Sequence, residues 1–196
     1  MSELTDRQEE IIIAAIHIVA EQSAQEFSMR KVAESVGVSE PALYRHFENK
    51  EDLLLKQTSY ITQIFKAVLQ EENDPGKPAL EQLEEMLKHV MKNYSDRWPF
   101  TTTLYATGMF YNHPELIAEL QSVIESSIES IHNLLQKGQI EGNLSLRLPS
   151  DQMALLIFGT MRLLIDRWNL TQRSFDLTEE WQTTWETLKT IVAAQH

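Results

Sequence analysis

Apolar residues in this chain recur at intervals of three and four, with good helix formers between them, over most of its 196 residues. That spacing lines one face of a helix, as Ile11, Ile12, Ala15 and Val19 do near the start. Alternation of the strand type occurs at Leu144-Ser145-Leu146-Arg147-Leu148, isolated between Gly142 and Pro149. The pattern predicts an all-α chain of about nine helices.

Helix starts carry their own signals. Thr5-Asp6-Arg7-Gln8 has capping-box form and opens a helix running to about Gln22. Ser28 and Ser39 can cap two short helices, Pro41 being tolerated in the first turn of the second. Asn49-Lys50-Glu51-Asp52 opens a long helix to about Glu72, and the stretch from Asn73 to Pro78 breaks it. Further helices are predicted at about 79–95, 98–110, 113–137, 150–170 and 178–193.

The segment Ser28 to Lys50 reads as a helix-turn-helix. Gly37 permits the tight turn at Val36-Gly37-Val38-Ser39, Ala33 allows close crossing, and Val32, Val36, Val38 and Leu43 form the seam. Met29-Arg30-Lys31-Val32-Ala33, Gly37-Val38-Ser39, Ala42-Leu43-Tyr44-Arg45-His46-Phe47, Lys50 and Leu53 together resemble the DNA-binding signature of the TetR family of bacterial repressors. Phe27 stands where that family usually has a small polar residue.

The resemblance implies a DNA-binding domain over 1–50 and a ligand-binding and dimerisation domain over 51–196. Ser28, Tyr44, His46 and Lys50 then become candidate phosphate contacts. Arg30 and Ser39 lie on the same two helices, and Arg45 can reach a phosphate or a guanine edge. Glu40, Pro41 and Ala42 occupy the leading edge of the recognition helix, where a cytosine amino group or a thymine methyl is read. Phe47 reads as core; for Tyr44 both core packing and a phosphate contact are open, and for Glu40 both a base contact and solvated surface.

Charge first argues against DNA, with 17 Lys and Arg facing 29 Asp and Glu for a net −12. By segment the objection narrows. Residues 28–50 hold four bases and three acids, whereas 1–27 hold one base against six acids and 51–196 twelve against twenty. The one segment that is not acidic is the one expected to face phosphate. Few neutralising groups per head predict a shallow salt dependence.

Downstream, residues 80–135 are dense in Met and aromatic side chains. Met86, His89, Tyr94, Trp98, Tyr105, Met109 and Phe110 are candidates to line a pocket, several combining a ring with a hydrogen-bonding atom, although core packing is the alternative for each. The family resemblance implies that such a pocket takes a small apolar or amphipathic inducer. Phe158, Met161 and Ile165, with Trp181, Trp185 and Leu188, recur at three-four spacing in the last two helices, and Gly159 admits a close neighbour. The family pairs through these two helices, which points to a homodimer; packing of the tryptophans within one chain is the alternative.

Other chemistry finds no support. The chain has no Cys, its six His show no metal-ligand spacing, and neither a phosphate-binding Gly loop nor a nucleophile elbow is present. An enzyme, a metal site and a cofactor are not expected. No apolar run approaches the ~20 residues of a membrane helix, and the acidic N-terminus is no signal peptide, so a cytoplasmic protein is expected. The reading is a ligand-released repressor binding a palindromic operator as a homodimer. An architectural or division-linked DNA-binding protein of the same fold, or a helical ligand-binding module without operator function, are the alternatives.

Overall fold

In the computed structural model, residues 4–22, 26–70, 74–105 and 114–193 are described. They form nine helices: α1 (Asp6–Gln22), α2 (Met29–Ser35), α3 (Glu40–Leu43), α4 (Lys50–Gln70), α5 (Ala79–Asp96), α6 (Trp98–Tyr105), α7 (Pro114–Glu141), α8 (Ser150–Leu170) and α9 (Leu177–Val192). The alternating segment contributes one isolated bridge, Leu144 to Ala193, and no strand among the described residues.

The expected caps form at Thr5, Ser28 and Asn49, whereas the Ser39 side chain makes no capping hydrogen bond. Thr5 N–H donates to Gln8 Oε1 at 3.0 Å while Gln8 N–H donates to Thr5 Oγ1 at 3.3 Å. Ser28 Oγ accepts from Lys31 N–H, and Asn49 Oδ1 accepts from Asp52 N–H at 2.9 Å. Asp176 Oδ1 accepts from Thr178 and Glu179, which starts α9 at Leu177, a residue before the expected position. These bonds hold the Asp176 carboxyl below its usual range, the Thr178 hydroxyl first among them.

The chain divides into two compact units, one of residues 1–64 with 97–121, the other of 65–96 with 122–196. In the first, α1 packs on α2 and α6, and Ile11, Ile12, Ile16, Val32, Leu43, Phe47 and Leu53 are buried. Polar bonds key these helices together. Thr103 Oγ1 donates to the Ile16 carbonyl at 3.3 Å, and Tyr60 Oη donates to Glu9 Oε1 at 2.5 Å. In the second unit α9 packs on α5 and α8 over Leu83, Leu87, Met91, Ile157 and Trp168. Lys189 Nζ donates to Glu84 at 2.6 Å; burial pushes the Glu84 carboxyl up, and the hydrogen bonds to it with the charges of Lys189 and Lys88 together outweigh that, leaving the group below its usual range.

Two sites in the second unit depend on local backbone chemistry. A Cβ on Gly138 would meet the Leu144 side chain at 2.4 Å, so any larger residue there would force that buried leucine to shift. The turn between α8 and α9 passes through Gln172 and Arg173, both at positive φ (54° and 62°), and is held by Trp168 Nε1–H to the Phe175 carbonyl at 3.0 Å.

Candidate nucleic-acid interface

The first unit builds its exposed head from α2 and α3. The turn between them needs Gly37, whose φ is +69°, and closes by Val38 N–H to the Ala33 carbonyl at 3.0 Å. Beneath it, α1 fixes the head's position. Arg7 Nη2 donates to the Val36 carbonyl at 3.0 Å, and Gln8 Nε2 to the His46 carbonyl at 3.2 Å. The seam of Val32, Ala33, Leu43 and Phe47 is buried, with Phe47 1% exposed.

This packing turns the polar residues outward. Tyr44 is 46% exposed, and Arg45 beside it is exposed with no ion-pair partner among the described residues. Ser39 and Pro41 are exposed, while Glu40, Ala42 and His46 are half-buried. Arg30 is exposed on α2 and Ser28 half-buried at its cap. Lys50 is exposed at the start of α4, its Nζ donating to the Phe27 carbonyl at 2.9 Å and lying 5.1 Å from the centre of the Phe27 ring. Phe27 itself is buried, so the bulky residue in that place supports the lysine that the sequence assigns to phosphate. The exposed surface of the head thus carries a phenol, a free guanidinium and an ammonium. That set can donate to phosphates and reach base edges.

The expected pocket residues fall in both units. Met86 and Tyr94 are buried and His89 half-buried on α5 in the second unit, where Tyr94 lies against Phe65 at 4.6 Å between ring centres. Trp98 and Tyr105 are half-buried on α6 in the first unit. Met109 and Phe110 lie outside the described residues.

The expected interface residues divide by burial. Met161, Ile165, Trp181 and Trp185 are buried within the chain itself, the two tryptophans stacked at 6.1 Å, so they have almost no surface to offer a partner. Phe158 and Leu188 are half-buried. The outward apolar residues are Leu155, Leu156, Leu163, Leu170 and Ile191, and Gly159 lies among them with nothing within 4 Å of a Cβ placed there. Leu156, Leu163 and Leu170 recur every seven residues, a seam legible in the sequence beside the inward stripe.

A compact helix-turn-helix on an all-α scaffold defines the class: a DNA-binding regulator. The comparisons agree. Residues 11–56 match the pattern of bacterial regulatory proteins of the tetR family, and residues 56–191 that of the YsiA-like protein C-terminal region. The chain belongs to the TetR family of DNA-binding transcriptional regulators. It is 24% identical over 189 residues to the nucleoid occlusion factor SlmA of Vibrio campbellii, covering 95% of this chain and 96% of that one. It is 24% identical over 173 residues to the fatty acid metabolism regulator protein of Bacillus subtilis, covering 86% of each. Its fold matches the crystal structure of the regulator FadR from Bacillus subtilis in complex with stearoyl-CoA, with a TM-score of 0.72 at 20% identity over 92% of this chain and 96% of that one. Members of the family bind DNA, typically as dimers, and respond to small-molecule ligands. No helix among the described residues is long and apolar enough to cross a membrane.

Proposed function

We propose that the chain is a ligand-released repressor that binds a palindromic operator as a homodimer in the cytoplasm and performs no catalysis. The observation that carries this reading is the head itself. Tyr44 and Arg45, in the turn that follows α3, and Lys50 at the start of α4 are exposed around a seam that buries Phe47. In this reading residues 1–50 read DNA, with Ser28, Arg30, Tyr44, His46 and Lys50 on phosphates and Ser39, Glu40, Pro41, Ala42 and Arg45 towards the bases. Residues 51–196 bind the ligand and the second copy.

The dimer uses the outward stripe of α8 with the end of α9. Leucines at positions 156, 163 and 170 form a seam of coiled-coil spacing, and the open surface at Gly159 lets a second helix approach closely. Phe158 and Leu188 flank it, and the buried tryptophans support it from inside. The inducer is amphipathic, bound by residues of the second unit drawn from Met86, His89 and Tyr94. The stearoyl-CoA complex of a protein with this fold, and the fatty acid regulator among the relatives, favour a long-chain acyl thioester. Ligand binding better to the DNA-incompetent state lowers operator affinity by that difference.

Selection of duplexes from a random pool tests this, followed by challenge with stearoyl-CoA. A palindrome that the ligand releases supports the reading; no enrichment overturns it. A second reading, a division-linked DNA-binding protein, is favoured by the match to SlmA along nearly the whole chain. Dispersed sites away from promoters, with no ligand response, would select it.

A further inference from the structure

Both cations of α2 are already engaged by carboxylates on the same exposed surface. Arg30 Nε donates to Glu34 Oε1 at 2.8 Å, one turn further along the helix. Lys31 Nζ donates to Glu26 just ahead of the helix. The hydrogen bond and charge of Lys31 hold the Glu26 carboxyl below its ordinary range, and the hydrogen bond and charge of Glu34 raise the Arg30 guanidinium. Glu40, at the first position of α3, adds its charge to the field on Arg30. Arg45, in the turn after α3, has no such partner among the described residues.

A phosphate reaching Arg30 or Lys31 must therefore displace a carboxylate. Both are charge-assisted acceptors of similar strength, so the exchange gains little. The freed carboxylate gathers a cation of its own, which cancels part of the counterion release that drives DNA binding. A head with unpaired cations at the same places would gain the full effect.

We infer that Glu34 and Glu26 compete with DNA phosphate for Arg30 and Lys31, and so set the affinity of the head for DNA and its dependence on salt. This rests on the DNA-binding reading. Glutamine at either position keeps the shape and removes the competing charge.

The test uses the full chain and fluorescence anisotropy on a labelled duplex of random sequence across a salt series. The proteins are wild type, E26Q, E34Q, R30A and R30A/E34Q, each checked for unchanged helicity and oligomeric state. E34Q should tighten binding about three- to tenfold at low salt and steepen the log–log salt slope by about one per protomer. E26Q should act likewise. The decisive comparison is the R30A background, where E34Q should change affinity by less than about twofold, because the contested cation is gone. An equal gain from E34Q with and without Arg30 would show general repulsion in place of competition and overturn the inference. So would unchanged affinity in E34Q and E26Q. Absence of wild-type binding to any duplex, random or selected, would instead sink the DNA-binding reading, and this inference with it.

Discussion

Tyr44, Arg45 and Lys50 differ in what holds them, and their substitutions should differ accordingly. Tyr44 and Arg45 lie exposed in the turn that ends α3, whereas Lys50 is braced by the Phe27 carbonyl and ring. Tyr44→Ala should abolish operator binding in gel-shift assays while leaving helicity and oligomeric state unchanged. Lys50→Ala should also abolish binding and lower Tm besides, because it removes a bond within the head. Tyr60 offers a pH handle. Burial first, then the hydrogen bond and charge of Glu9, push its phenol up to about 12 from 10.0. A raised folded-state value means that the folded chain holds the proton longer. The stability it contributes is intact below pH 10 and is lost as pH rises through about 10–12. Tyr60→Phe should flatten that part of the stability curve, read by urea unfolding; an unchanged slope would contradict this. Gln172 sits at positive φ in an exposed turn, so Gln172→Gly should raise stability by up to ~1 kcal/mol, and a lower Tm would count against that reading.

At the scale of elements, α8 shows why periodicity alone does not pick out the face that meets a partner. It is apolar on two faces. Ile157, Met161, Ile165 and Trp168 turn into the chain's own core, while Leu156, Leu163 and Leu170 turn out. Both stripes satisfy helical spacing, and spacing does not say which meets a partner. The tryptophans are ambiguous in the sequence for the same reason: large aromatic residues are common at interface cores and in protein cores alike. The two faces should now separate experimentally. Leu163→Glu should convert a dimer to monomer by light scattering with helicity kept. Trp185→Ala should instead destabilise the fold by roughly 3–5 kcal/mol. Loss of the dimer on neither change would remove α8 from the interface. Helix starts were far more legible, because capping at Thr5, Ser28 and Asn49 is a local interaction that needs no tertiary partner. The buried seam of the head was legible too, since Val32, Leu43 and Phe47 fill it with apolar side chains of the expected kind. The carboxylates that engage Arg30 and Lys31 were not, because which charges meet depends on where the chain turns.

For the whole molecule the net charge of −12 has a consequence beyond the head. An acidic body repels the duplex and leaves one docking orientation, and cations already paired on α2 reduce what that orientation gains. The slope of log affinity against log salt should therefore be shallow for a DNA-binding dimer, and a magnitude of about ten would contradict it. The central claim, that this head reads an operator as a dimer, is tested most directly by selecting duplexes from a random pool with the full chain. The account predicts enrichment of a palindrome whose half-sites lie about one helical turn (~34 Å) apart, lost with Tyr44→Ala. A pool that remains random after selection, or a single half-site bound by a monomer, would contradict it.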